Sequence, residues 1–290
     1  MLSLPPRKQL ATLHTFTAWS AFLAYFVSGV LGVAFPQILN FAFFDMKLSS
    51  RESEYVRLNC GLLVVIGFLY IVTARSSPMV IGNGAILGTV PERLFLVTAI
   101  LIWLYQQALI PFIFTLAFVL LDSTLAVATY VIWSRNTPGA SPRKCLGEIT
   151  GIMLPILSPK QKWSSNCAQI IGYFQIVVSF TFLAQPEIAR DALCLDPFGR
   201  FTKGLVALFF MSNVVIGWLH VMGGGDGNES FPTGAVFYRL VWSEPLISVM
   251  YYFDRIEKGF ALAVGTSELI SALIIFVPLC IKLLSSKKKN

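Results

Sequence analysis

Eight stretches of this chain are long and apolar, at about residues 15–39, 58–74, 92–107, 109–133, 168–184, 204–221, 237–253 and 258–283. A helix rises about 1.5 Å per residue, so about 20 residues cross a hydrocarbon core of roughly 30 Å. Within such a core each backbone polar group must be satisfied internally, which favours helices. The pattern therefore predicts an all-α integral membrane protein with eight transmembrane helices. The third and seventh runs are short and amphipathic. Read alone, each fits a re-entrant or interfacial segment, which leaves six or seven spans open beside eight.

The composition agrees. Of 290 residues, 56% are hydrophobic and 13% charged, with a mean hydropathy of +0.71. Soluble domains carry about 25% charged residues, so lipid must supply much of this chain's solvent. The net charge of +7 does not point to nucleic acid. The basic residues stand at the ends of apolar runs, where the positive-inside rule and anionic lipid both favour them. The partners expected are the lipid bilayer and either a small amphipathic ligand or other membrane proteins. Cys60 and Cys280 lie in apolar runs, Cys145 in a basic loop, and Cys167 and Cys194 near run ends. Without a CxxC this scatter is no disulfide or metal framework. Arg7 and Lys8 precede a first run of spanning length, longer than the apolar part of a signal peptide, so it reads as a retained helix.

The longest polar interruption, 134–166, contains Pro138, Pro142 and Pro159 together with Arg135, Arg143, Lys144, Lys160 and Lys162. It divides the chain into a tail (1–14), a first four-helix unit (15–133), a linker (134–166), a second unit (167–283) and a basic tail (284–290). With eight spans, both termini, the linker and the 2–3 and 6–7 loops share one side. That side holds 14 Lys/Arg against four acids, and the other holds eight against eight. The basic side, with both termini, is expected to be cytoplasmic. The sequon Asn228-Glu229-Ser230 then faces the cytosol and stays unmodified. The ending Lys287-Lys288-Lys289-Asn290 reads either as a stop-transfer cluster or, in a eukaryote, as an endoplasmic-reticulum retrieval signal.

A repeat lies in the spacing of polar landmarks. Tyr25-Phe26, Pro36, Arg57-x-x-x-Gly61, Arg93-Leu94 and Asp122 return in order as Tyr173-Phe174, Pro186, Arg200-x-x-x-Gly204, Arg239-Leu240 and Glu268. The separation from arginine to acid is 29 residues in both halves. Its midpoints, Gln106-Gln107 and Phe253-Asp254, are polar hairpin tips. Each partner then lies about 21 Å from its tip, at equal depth on antiparallel neighbours, about two-thirds of the way across the core. A lone charge there costs several kcal/mol, and a carboxylate facing a guanidinium removes most of that cost. Arg93–Asp122 and Arg239–Glu268 are therefore expected intramembrane ion pairs, serving either as staples or as the lining of a cavity. Glu244, followed by Pro245 in the seventh run, is a third intramembrane acid. The first half has no counterpart to it, so the second half is the better expected site.

Several chemistries lack their residues. His14 and His220 are far apart, and no His/Glu cluster has metal-ligand spacing, so neither a metal nor a cofactor is expected. Gly223-Gly224-Gly225-Asp226-Gly227 lacks the Lys-Ser/Thr of a phosphate loop. Ser123 and Ser267 stand beside acids but have no base near them in sequence.

The first half also resembles a known group. Arg57-x-x-x-Gly61, the run Val65–Arg75 ending Ala74-Arg75, then Glu92-Arg93 and Leu121-Asp122 are similar to the small DoxX-like four-helix membrane proteins. The resemblance covers about residues 15–133. Residues 167–283 match at Arg200, Gly204, Arg239 and Glu268 and lack the Ala-Arg exit. It implies two parallel four-helix bundles in tandem and, through some members, an association with quinone-linked oxidoreductase complexes. Three functions stay open at this point: a binder or carrier of a small amphipathic molecule, a non-catalytic accessory or scaffold subunit, and an intramembrane enzyme using its acids.

Overall fold

The computed structural model describes residues 12–39, 48–75, 83–154, 162–195, 197 and 199–287. The basic residues Arg7, Lys8, Lys160, Lys288 and Lys289 lie outside the described residues. Among those described the chain is all-helical, and seven helices are long and apolar enough to cross a membrane. They are α1 (Thr12–Ala34), α2 (Ser50–Arg75), α3 (Gly84–Gln106), α4 (Phe112–Asn136), α6 (Trp163–Ala184), α7 (Arg200–Gly225) and α9 (Lys258–Lys287). Besides the short helices Pro36–Leu39 and Pro186–Ala192, two more are described. One is α5 (Pro142–Met153), inside the expected linker, and the other is α8, the unbroken helix over 230–252.

The third and seventh runs are not short. Helix α3 starts eight residues before the expected boundary and α8 seven residues before it. Gly84, Gly88 and Pro91 precede the expected start of the third run and Pro232 that of the seventh; Pro232 stands in the first turn of α8, where a proline lacks only an N–H that would have no partner. The carbonyl of Gly88 takes the indole N–H of Trp218 on α7, 2.9 Å away. Both helices then widen into a π-helical turn, over Glu92–Val97 and Arg239–Ser243. Pro245 cannot donate to the carbonyl four residues back, so the register must shift in its neighbourhood. Helix α1 carries a third such turn at Phe22–Val27.

Packing sets α2 and α7 at the centre, against each other. Helix α1 lies on α2 and α6 on α7, α3 pairs with α4 and α8 with α9, and α3 reaches α7 as α8 reaches α2. In α7, 83% of the apolar window is buried in protein, against 22% in α4, so α7 faces helices while α4 faces outward. The outward faces carry exposed Leu, Ile and Phe, including Phe95, Phe174 and Leu273. The hairpins α3–α4 and α8–α9 turn at Ala108 and Asp254, both with left-handed φ (50° and 54°). In each turn the N–H of the next residue, Leu109 or Arg255, reaches back to the carbonyl of Leu104 or Met250.

Two crossings rest on glycine. A Cβ on Gly29 would lie 2.7 Å from the Cys60 carbonyl oxygen, and one on Gly67 2.6 Å from the Phe26 nitrogen, so α1 and α2 touch backbone to backbone. A Cβ on Gly172 would lie 2.6 Å from the Gly217 oxygen, and one on Gly217 2.9 Å from the Gly172 oxygen, which does the same for α6 and α7. Small residues permit this approach where lipid gives no hydrophobic drive for association. Gly217→Val should destabilise the protein by about 2–3 kcal/mol or prevent folding. Gly151→Ala, on α5 with nothing within 4 Å of the added carbon, should be neutral or slightly stabilising. Thermal unfolding in detergent, followed by loss of monodispersity, reads both.

Candidate functional site

The polar side chains buried in the apolar helices gather at two places. The first is built by α1, α2, α3 and α4. Tyr25 stands in the π-turn of α1, Tyr70 on α2, Glu92 and Arg93 at the π-turn of α3, and Asp122 in the middle of α4. All five are almost fully buried. The hydroxyl of Tyr25 donates to Asp122 Oδ1 and that of Tyr70 to Glu92 Oε2, both in short contacts. Arg93 lies beneath the two rings, its Cζ 4.4 Å from the centroid of Tyr70 and 5.4 Å from that of Tyr25. Desolvated cation–π contacts of this kind are worth about 2 kcal/mol. None of its three guanidinium nitrogens has a hydrogen-bond partner. Arg93 and Asp122 thus enter one cluster, but the tyrosine hydroxyl, not the guanidinium, hydrogen-bonds the carboxylate. In the α geometry of a plain helix every residue has a fixed register, and the π-turns at Tyr25 and at Glu92-Arg93 re-aim those side chains.

This cluster closes one end of a cavity of about 270 Å³. The walls are mostly apolar: Leu63 and Ile66 on α2, Phe114 and Phe118 on α4, Leu208 and Val215 on α7. Tyr25, Tyr70, Glu92 and Asp122 reach the wall, whereas Arg93 does not. Asn59 lines the cavity on the same stripe of α2 as Leu63, Ile66 and Tyr70, about 16 Å along the axis from Tyr70. A space of this size with a few convergent polar groups has the form of a small-molecule site.

The second gathering is in α7, α8 and α9. Arg239 is 1% exposed and its Nε lies 3.2 Å from Glu268 Oε2, close as an ion pair but not aligned as a hydrogen bond. Its Nη1 donates to His220 Nε2 at 2.8 Å. His220 Nδ1 lies 2.8 Å from the Ile216 carbonyl, which can only accept, so Nδ1 carries the proton and Nε2 offers its lone pair. Here the guanidinium is partnered and the space around it is filled. The cavity beside Glu268 and Tyr238 is about 30 Å³, room for one water. Glu244 lies on the other side of the pair, against Gly265 on α9, with Oε1 lacking a hydrogen-bond partner. It lines neither cavity.

The sequence pointed to the second half as the better site. In the structure Glu244 lines neither of these two cavities, and the larger of the two belongs to the first half together with α7. Glu92 and His220 were missed as members of the two clusters. Glu92 looked like a helix-end residue because the third span looked short. His220 stands 19 residues before Arg239, a spacing that only the α7–α8 hairpin explains. The sequon has a local explanation too: Asn228 is 8% exposed and its Oδ1 accepts the Ser230 N–H at 3.0 Å, capping α8. Among the described residues no group of three His, Cys, Asp or Glu has the geometry to hold a metal ion.

Removing one member of a buried pair leaves the other charge uncompensated, at a cost of about 3–5 kcal/mol. Arg239→Leu, which strands Glu268 and the lone pair of His220, should lose that much. Arg239→Leu/Glu268→Leu should regain most of the loss. Unfolding by denaturant in mixed micelles checks the pair; equal stability of wild type and Arg239→Leu would remove the ion pair from the account.

No family model matches the chain, and no curated protein or solved structure is similar to it.

Proposed function

We propose that this is a multi-pass membrane protein that binds or carries a small amphipathic molecule in the cavity between α1, α2, α4 and α7. The observation that carries the reading is the cavity itself: apolar along its length and closed by Tyr25, Tyr70, Glu92 and Asp122. An apolar chain gains its burial there, and a polar head meets oriented carboxylates and hydroxyls. A bundle whose arginine–acid pairs served only as staples would have no use for such a void, because an unfilled cavity costs stability.

The reading extends to architecture. In our proposal α8 is the eighth span and the two halves arose by tandem duplication, as parallel four-helix bundles about an axis along the membrane normal. Two observations support this. The pairings of α1 with α2, α3 with α4 and α3 with α7 have counterparts in α6 with α7, α8 with α9 and α8 with α2. The left-handed turns at Ala108 and Asp254 lie 146 residues apart, as do Arg93 and Arg239. The DoxX-like resemblance of residues 15–133 belongs to the same proposal. So do cytoplasmic termini on the basic side and, for a eukaryotic protein, the endoplasmic reticulum as the membrane.

The test is mass spectrometry of small molecules and proteins that co-purify with the detergent-extracted chain. Wild type is compared with Ala117→Trp, which fills the cavity from the lipid-facing helix α4. A discrete molecule enriched in wild type and depleted about tenfold or more in the variant is expected. Bulk lipid alone in both samples, with other membrane proteins at fixed stoichiometry, would replace the binder by a scaffold subunit.

A further inference from the structure

The hydrogen-bonding groups on the cavity wall are unequally divided between donors and acceptors. Both tyrosine protons are used, on Asp122 and on Glu92. Ser28 gives its hydroxyl proton to the Leu23 carbonyl, 3.3 Å away. Asn59 gives both amide hydrogens to carbonyls, of Tyr55 at 2.9 Å and of Leu205 at 3.0 Å. Only an NH₂ group can donate to two carbonyls, so both Asn59 donors are used, and its Oδ1 is buried without a partner. The wall donors left are the Ser212 hydroxyl and the weak Cys60 thiol. Arg93 has N–H groups to spare but stays behind the tyrosine rings, off the wall. The cavity wall is therefore short of donors, and the acceptors it offers are the second oxygens of the Asp122 and Glu92 carboxyls.

Charge points the same way. The cluster holds two acids, Glu92 and Asp122, and one base, Arg93, so one carboxylate has no cation of its own. We infer that the head group taken here is a cationic amine. Its ammonium donates to Asp122 and Glu92, and its apolar body lies along Leu63–Ile66 and Leu208–Val215. This deepens the proposed function and rests on its reading of the cavity as a ligand site. An ammonium offers three donors and the missing charge together. An alcohol offers one donor and no charge, and a carboxylate would bring a further acid to a cluster that already has more acids than bases. At roughly 30 Å³ per water-sized group, 270 Å³ encloses about nine non-hydrogen atoms. A primary amine on a chain of about eight or nine carbons fills it.

The experiment compares nonylamine, nonanol and nonanoate at pH 7, titrated calorimetrically into the full chain in neutral-lipid nanodiscs, with empty nanodiscs subtracted. Wild type should bind nonylamine at least about tenfold more tightly than nonanol, with nonanoate weakest. Asp122→Asn should cut that preference to about threefold or less; if that variant does not fold, Glu92→Gln is read in the same way. Ala117→Trp should abolish binding of all three. Equal binding of amine and alcohol, or tighter binding of nonanoate, overturns the head-group assignment and leaves the ligand cavity standing. An amine preference that survives the acid substitutions overturns it too. Binding of none of the three by wild type overturns both readings.

Discussion

A guanidinium buried in a lipid-embedded bundle stays charged, because arginine does not shed its proton at any accessible pH. Much of the bundle's interior polar chemistry is arranged around that fact, at Arg93 and at Arg239. A lone charge at that depth costs at least about 3 kcal/mol on insertion scales and more on others, so each arginine must be surrounded by groups that take up its field. Around Arg239 these are a carboxylate at 3.2 Å and an imidazole at 2.8 Å. Around Arg93 they are two aromatic faces, with the carboxylates standing one layer farther out. Both solutions need a helix that turns its side chains to an unusual angle, and in both halves a π-turn adjoins the arginine.

The two solutions have opposite consequences for space. Direct pairing draws Glu268 and His220 onto the guanidinium, and their neighbours close in, with Trp242 reaching to the Gly61 carbonyl at 3.1 Å. Stacking between rings keeps the acids away from the guanidinium, at the tips of tyrosines, and those tips form the end wall of a void. The void persists because its surroundings are stiff. Helices α1 and α2 are locked by Gly29 and Gly67, and α7 is held by α6 through Gly172 and Gly217. Side chains cannot collapse inward when the backbones behind them already touch.

The class of fold was legible in the sequence because apolar length is a direct physical requirement of the bilayer. The hairpin tips were legible from the equal arginine-to-acid spacing, and the chain does turn there, at Ala108 and Asp254. What was not legible follows from two causes. Glycine and proline near Pro91 and Pro232 signal breaks in water, yet in a bundle a neighbouring indole or a π-turn satisfies the freed groups, so α3 and α8 were read too short. That error placed Glu92 outside the core. The second cause is rotation: equal depth says that Arg93 and Asp122 share a level, but not which way each faces, and Tyr25 and Tyr70 decide that. Glu244 shows the converse, an intramembrane acid whose rotation takes it away from both cavities.

On the proposed duplication, the halves differ by what fills the same volume. In the second half the arginine meets Glu268 and His220 directly, and little space is left beside it. In the first half two tyrosine rings cover Arg93 instead, and the open space lies beyond their hydroxyls and the two carboxyls. A duplicated scaffold allows this division. One copy can pair its arginine directly with an acid and an imidazole and pack around them, while the other leaves carboxyl acceptors and space open. Unpaired acceptors and empty volume both reduce stability, and they are what a bound ligand can satisfy. Site and scaffold are thus in tension within each bundle, and the shared α2–α7 contact lets the filled half support the hollow one.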